Sequence, residues 1–158
     1  MNRIVVDANA VIMHGRAFPD RVQAAVHDGK TIVLPQSVKR ELVEDVLENP
    51  HAPSNHRASA QAIQQLVDEG FLVVRSPDFD SYSQIIDEAR RRIADSSLPE
   101  HEVKADQYIP ALVCEMAQTG TVLLVTGDRK LRRIVQDITE REQIDNNVQL
   151  CDPLTVLQ

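Results

Sequence analysis

Short apolar runs alternate with segments of helical periodicity along the whole chain. The apolar runs are rich in β-branched residues and are continuous, which is typical of strands covered on both faces. They cover residues 4–6, 31–34, 71–74, 122–125 and, more weakly, 148–150. Because helical segments separate them, the pattern predicts a mostly parallel sheet of about five strands in a three-layer α/β/α sandwich.

The intervening segments carry apolar residues three and four positions apart, as Val38, Leu42 and Val46 do. This spacing predicts amphipathic helices that bury one face. The predicted helices cover residues 20–27, 37–47, 55–69, 82–93, 103–118 and 129–137. Loops are expected at 49–55 and 96–102. Since we find no repeat, low-complexity tract or linker, we expect residues 1–158 to form one domain.

Two acidic residues come directly after predicted strands. Asp7 follows the first strand in IVVDAN, and Asp128 follows the fourth in LLVTGD. In open α/β sheets ligands bind at the carboxyl ends of the strands, so both side chains are candidates for a functional site. Each could equally be a helix N-cap or a turn residue, because Asp is favoured there as well.

Two further acids lie in helical segments. Glu41 borders the apolar stripe of its helix, and Asp106 precedes the most apolar helix of the chain. A solvated helix charge is the ordinary interpretation of Glu41. For Asp106 it is an N-terminal charge favoured by the helix dipole. Neither residue indicates a site by itself.

The amino-acid composition argues against several classes of function. Acidic residues outnumber basic ones by 24 to 17, so the chain lacks the broad basic surface of a generic polyanion binder. Aromatic residues make up only 3%, which argues against binding single-stranded nucleic acid by aromatic stacking. Two cysteines cannot form a disulfide scaffold or a zinc cluster alone. Because no apolar stretch reaches about 18 residues, we expect a cytoplasmic protein without membrane association.

The four acids, taken in order, resemble a known pattern. The segments IVVDANAVI, LPQSVKRELVED, KADQYIPALVCEMA and LLVTGDRKLRRI resemble the PIN-domain family of metal-dependent nucleases, which includes VapC-type toxins of toxin–antitoxin pairs. The resemblance covers residues 4–150. It implies a PIN-like fold and a cofactor of Mg²⁺ or Mn²⁺. It also implies RNA as the commonest substrate, and homodimers, which are common in the family.

The resemblance assigns roles to individual residues. It implies that four carboxylates bind the metal and are catalytic, and that two polar neighbours orient them. The carboxylates are Asp7, Glu41, Asp106 and Asp128, and the orienting residues are Asn9 and Thr126. Oxygen ligands without Cys or His suit Mg²⁺ or Mn²⁺, which supports hydrolysis of a phosphodiester by water. Candidates for binding the RNA phosphates are Arg129, Lys130, Arg132 and Arg133.

Two departures from the family pattern leave alternatives open. Lys130 stands where many members carry another acid, so a catalytically weak or inactive module that binds RNA or protein is the main alternative. A nuclease silenced by an antitoxin is another. Pro110 lies within a predicted helix, which must either begin near Asp106 or kink beside it. A phosphatase of the haloacid-dehalogenase type is disfavoured, because Asn9 replaces the second acid of its Asp-x-Asp motif.

Overall fold

The computed structural model describes residues 3–94 and 106–153. Its centre is one sheet of five parallel strands in the order β3-β2-β1-β4-β5. The strands are β1 (Arg3–Val6), β2 (Thr31–Pro35), β3 (Leu72–Arg75), β4 (Val122–Val125) and β5 (Val148–Cys151). Helices cover both faces of the sheet. The predicted fold class and the five predicted strands are therefore confirmed, and no strand end differs from its predicted position by more than one residue.

Helical segments separate consecutive strands, and more than one helix stands between β1 and β2 and between β2 and β3. Helix α1 (Ala8–His14) was not predicted, because it spans only seven residues and begins directly at the end of β1. The others are α2 (Phe18–His27), α3 (Gln36–Lys39), a π-helix (Arg40–Glu44), α4 (Asp45–Glu48), α5 (Ser54–Asp68), α6 (Ser83–Ile93), α7 (Ile109–Ala117) and α8 (Arg129–Arg141). Two 3₁₀ turns complete the described elements, at Gly15–Ala17 and Asp145–Asn147.

The segment after β2 differs from the predicted α-helix in its periodicity. The sequence predicts a buried stripe at spacing four, but the structure buries Val38 and Val43, which are five positions apart. Leu42 and Val46 are only half-buried. The π-helix between α3 and α4 explains the change, since the Asp45 amide bonds the carbonyl of Arg40 five residues earlier. Such turns are frequent at functional sites.

The predicted helix over residues 103–118 is interrupted after Asp106, which is itself helical. Gln107 and Tyr108 form a turn, and α7 begins at Ile109 with Pro110 in its first turn. Proline has no amide hydrogen to bond the carbonyl of Asp106, and this cost disappears when it stands at the start of a helix. The beginning of the predicted helix and the loop at 96–102 lie outside the described residues.

The strand order changes direction at β1, which creates a topological switch point in the sheet. From β1 the chain moves through β2 to β3 in one direction, then crosses to β4 and β5 on the other side of β1. Right-handed crossovers therefore place the helices of the two halves on opposite faces. The helices before and after the crossing diverge at the carboxyl ends of β1 and β4, and ligands of such sheets bind at this switch point.

The core is built of aliphatic side chains. Ile4, Val5 and Val6 of β1 are at most 1% exposed and lie in a cluster that includes both faces of the sheet. A second cluster lies among α6, α7 and α8 and includes Ile86, Cys114 and Ile134. Burial raises the pKa of the Cys114 thiol to about 12, as expected for a core cysteine. Among the residues described, every helix is too short or too polar to cross a lipid bilayer.

Candidate active site

Asp7 is the first residue after β1 and is buried, with 1% of its surface exposed. It is also the N-cap of α1, because its Oδ1 accepts a hydrogen bond of 2.8 Å from the Ala10 amide. Its Oδ2 accepts a hydrogen bond from the Thr126 hydroxyl. The same side chain therefore follows a strand and caps a helix. These are the two interpretations of Asp7 that the sequence allowed.

Thr126 and Asp128 come to Asp7 from the neighbouring strand. The pairing of Val6 with Val125 places Asp7 beside Thr126, which is fully buried. The Thr126 hydroxyl donates to Asp7 and accepts a hydrogen bond of 3.0 Å from the Asp128 amide. One hydroxyl therefore fixes both the Asp7 carboxylate and the backbone that carries Asp128.

Asp128 caps α8 with one carboxylate oxygen. Its Oδ1 accepts hydrogen bonds from the amides of Lys130, at 2.9 Å, and Leu131, at 3.2 Å. Asp128 is close enough to Asp7 that its negative charge acts on the Asp7 carboxyl. As with Asp7, the N-cap interpretation is confirmed, and the role at a functional site stays a prediction.

Asn9 connects the two strand ends from the other side. Its Oδ1 accepts a hydrogen bond of 3.2 Å from the Gly127 amide. A Cβ at Gly127 would lie 2.7 Å from the same oxygen, so only glycine permits this approach. Asn9 and Thr126 thus hold the loop between β4 and α8 against the start of α1, as expected of residues that orient the carboxylates.

The electrostatics of this pair favour a cation. Burial raises the pKa of the Asp7 carboxyl above its ordinary value, and the charge of Asp128 raises it further. The hydrogen bonds from Thr126 and Ala10 act in the opposite direction. A bound divalent ion would neutralise the repulsion between the two carboxylates. Mg²⁺ is commonly held by one or two carboxylates with waters and substrate phosphates, so the residues present fit this ion.

Glu41 and Asp106 lie further along the same edge of the sheet. Glu41 belongs to the π-helix and lines a cleft of about 410 Å³. Asp106 is half-buried and directly precedes Gln107, which lines the same cleft. Among the described residues, no group of three or more His, Cys, Asp or Glu side chains is close enough to hold a metal ion. The structure thus brings Asp7 and Asp128 together, and the four-carboxylate site stays a prediction.

The predicted RNA-binding residues surround the beginning of α8. Arg129, Lys130 and Arg133 are exposed. Arg132 is half-buried, and its Nε donates a hydrogen bond of 2.9 Å to the carbonyl of Thr126. Its Nη2 lies 3.9 Å from a carboxylate oxygen of Asp152. Arg132 therefore holds the end of β4, whereas Arg129 and Arg133 present their charges to solvent. The Lys130 ammonium group lies 3.5 Å from the carbonyl of Ile93, to which it donates a hydrogen bond.

The cleft beside Glu41 contains functional candidates that sequence reasoning missed. It is bounded by the carboxyl ends of β2 and β3 and by the turn before α7. Its lining includes Arg40, Arg75, Phe79, Gln107 and Tyr108. The available signal was positional, since Arg75 ends a strand whose carboxyl end lies at the same edge as Asp7. The low aromatic content of the chain argued against a binding role for Phe79 and Tyr108.

Two solved structures are similar to this chain, and the one with the higher TM-score supports the fold. The chain is 13% identical to VapBC2 from Rickettsia felis, whose crystal structure contains a bound DNA fragment from the VapBC2 promoter. The TM-score is 0.52 over 95% of this chain and 98% of that one. It is 14% identical to VapBC-1 from nontypeable Haemophilus influenzae, with a TM-score of 0.49 over 98% of this chain and 100% of that one. No curated protein matches the sequence.

A match to a family model covers the full length of the chain. The model describes the halobacterial PIN domain, and the match extends over residues 1–158. PIN-domain proteins are generally nucleases that depend on divalent metals. The chain belongs to the halobacterial PIN-domain family.

Proposed function

We propose that this protein is a Mg²⁺- or Mn²⁺-dependent endoribonuclease and that residues 1–158 form its single nuclease domain. The observation that carries the proposal is the buried Asp7, joined through the Thr126 hydroxyl to Asp128 at the switch point of the sheet. Both carboxylates lie where α/β folds bind ligands, and membership of the PIN family makes nuclease chemistry the expected activity.

The residues of the chain have separate tasks in this reaction. Asp7 and Asp128 would hold the ion, and Glu41 of the π-helix and Asp106, just before the turn that precedes α7, would supply further oxygen ligands. When bound, the ion supplies a water of lowered pKa and stabilises charge on the phosphate oxygens. Thr126 and Asn9 keep the two carboxylate-bearing segments in place. No side chain needs to act as a nucleophile, since water attacks the phosphorus.

Substrate binding uses local positive charge in an acidic protein. Arg129, Lys130 and Arg133 are exposed immediately after Asp128, so they can contact phosphates on either side of the cleaved bond. Arg132 contributes mainly by holding the carbonyl of Thr126 in place. The negative charge elsewhere on the chain limits binding to this edge of the sheet.

We extend the proposal to the partners of this protein. The VapBC2 neighbour is a complex bound to promoter DNA, and we extend to this chain the role of a cytoplasmic toxin that pairs with an antitoxin. Homodimer formation belongs to the same proposal. The alternative is a catalytically weak module that binds RNA or protein, and Lys130 favours it, because a cation there replaces an acid next to the metal site.

The test is cleavage of a 5′-labelled single-stranded RNA under defined metal conditions. We expect cleavage with millimolar Mn²⁺ or Mg²⁺, none in EDTA, and none by the Asp7→Asn variant. Asn retains the oxygen that caps α1, so this variant should fold. Lys130→Asp serves as the informative companion, since it should increase metal affinity if the lysine weakens the site. A wild-type protein that binds the RNA without cutting it would establish the alternative.

A further inference from the structure

The cleft beside Glu41 is suited to a nucleotide. Its volume is about 410 Å³, within the range of small-ligand sites in proteins. Glu41 lines it, so the cleft adjoins a residue that we assign to the metal site. A chain of RNA that crosses the metal site would therefore pass its next nucleotide into the cleft.

The aromatic wall of the cleft is presented to solvent by an ordered turn. Phe79 is 54% exposed, which is unusual for a phenylalanine in a chain with a buried aliphatic core. Its ring lies 5.4 Å from that of Tyr108, with the planes inclined at 74°. This edge-to-face contact holds the ring in place and leaves a face for another aromatic group.

The backbone around Phe79 is fixed on both sides. Pro77 is buried, and the Asp78 carboxylate accepts hydrogen bonds from the amides of Asp80, at 3.1 Å, and Ser81, at 3.2 Å. The Asp78 carbonyl also accepts a hydrogen bond of 3.1 Å from the Tyr82 amide. Exposure of the phenyl ring is therefore built into the turn.

Two arginines line the cleft near this ring. Arg40 comes from the π-helix and Arg75 from the end of β3. Within residues 3–94 and 106–153, neither side chain forms a hydrogen bond or an ion pair. Asp45 and Glu41 also line the cleft, so the charges of the two arginines balance those of two acids. Because neither arginine is paired with a described residue, both remain available to a phosphate.

Gln107 adds a hydrogen-bonding group to the cleft. Its side-chain carbonyl accepts a hydrogen bond of 2.8 Å from Arg90, which identifies the other end of the amide as the donor. Gln107 is 6% exposed, and its amide nitrogen donates to none of the described residues. The carbonyl edge of a base would supply an acceptor for this donor.

We propose that the cleft binds one unstacked nucleotide of single-stranded RNA, with its base on Phe79, its edge at Gln107 and its phosphate at Arg40 and Arg75. This subsite rests on the proposed nuclease function and specifies how the substrate is held. Proteins that bind single-stranded RNA commonly stack bases on aromatic side chains beside a basic groove.

The experiment measures binding of a fluorescein-labelled single-stranded RNA 12-mer of mixed sequence by anisotropy in EDTA. The variant Phe79→Ala should weaken binding by roughly five- to hundredfold. Phe79→Leu should weaken it almost as much, and Phe79→Trp should restore it, because a π face and not apolar surface is required. An oligomer of the same length with abasic sites throughout should not distinguish these proteins.

The arginines are tested through salt dependence. Arg40→Ala and Arg75→Ala should each reduce the slope of log K against log salt, and the double variant should reduce it by about 0.7, the amount expected for one phosphate contact. Arg91→Ala is the matched control, since Arg91 is an exposed arginine lining a different cleft beside Glu142, and it should leave the slope unchanged. An unchanged slope in both cleft variants would overturn the phosphate contact.

The outcomes separate the subsite from the nuclease function. If wild-type protein cleaves RNA through Asp7 but Phe79→Ala binds and cleaves equally well, the subsite is wrong and the function stands. That result would leave the cleft to a protein partner. If RNA binding depends on Phe79 but no metal supports cleavage, the subsite stands and the nuclease function is wrong. If the wild type binds no RNA, the subsite is wrong.

Discussion

The two halves of the carboxyl edge of the sheet are built differently. At β1 and β4, Asp7 and Thr126 are almost fully buried, and short hydrogen bonds connect them with Asp128 and α1. At β2 and β3, the cleft is open, and Phe79 is more than half exposed. The first region has the fixed geometry that we propose for a cation site, and the second leaves an aromatic ring and two arginines accessible. Fixed geometry suits chemistry, whereas an open surface suits binding of a flexible chain.

The largest effect should come from removing both carboxylates of the buried half. Asp7→Asn and Asp128→Asn should each reduce the single-turnover rate of RNA cleavage by about two orders of magnitude or more, because they share one ion. The double variant should be little worse than the more damaging single variant. Double-mutant cycles that combine Asp7→Asn with Glu41→Gln or with Asp106→Asn test whether Glu41 and Asp106 bind the same ion. Losses that multiply would show separate roles.

The sequence predicted the buried half far better than the open half. Continuous apolar runs identify the strands, and the parallel topology then places Asp7 and Asp128 at one edge. The open half escaped prediction because Arg75, Phe79 and Tyr108 lie in three segments that share no motif. Their proximity depends on the order of strands and on the turn before α7, and neither follows from local periodicity.

The π-helix escaped prediction for a related reason. Val38, Leu42 and Val46 continue a regular spacing of four across it, so the sequence favours an unbroken α-helix. Tertiary packing buries Val43 instead and shifts the register by one residue. Glu41 lies within this π-helix, so the sequence pattern alone could not place its side chain.

The second prediction concerns Thr126, which connects the two strand ends. Thr126→Val should destabilise the protein by about 1–3 kcal/mol, because it leaves a buried Asp7 oxygen and the Asp128 amide without their partner. It should also lower cleavage by about ten- to hundredfold through loss of carboxylate orientation. Urea denaturation and single-turnover cleavage measure the two effects. Thr126→Ser, which keeps the hydroxyl, is the control, and equal losses in both variants would contradict the hydrogen-bonding role.

The third prediction tests the close approach of Asn9 to Gly127. Gly127→Ala should cost about 1 kcal/mol, because the new Cβ must displace the Asn9 oxygen and its hydrogen bond. In an Asn9→Ala background the same change should cost much less, since the clash is gone. A double-mutant cycle by urea denaturation gives the coupling between the two positions. Purely additive effects would show that Asn9 does not hold this loop.

The smallest effect concerns pH, and it should have opposite signs in the two halves. Burial raises the pKa of Asp7, whereas the Ser81 amide and hydroxyl lower the pKa of the exposed Asp78. In the metal-free protein, Asp7 therefore lowers stability as pH rises from roughly 3.9, the value for an unperturbed Asp, through its folded pKa. Asp78 does the reverse, and its contribution is lost as pH falls below about 3.9.

In EDTA at pH 7, Asp7→Asn should melt above the wild type and Asp78→Ala below it, and both differences should shrink on acidification. Millimolar Mn²⁺ should reverse the first difference and leave the second unchanged, because only Asp7 gains an ion. Carboxyl ¹³C titrations of the two residues in EDTA measure the shifts directly, and an Asp7 that titrates below Asp78 would contradict the contrast between the two halves.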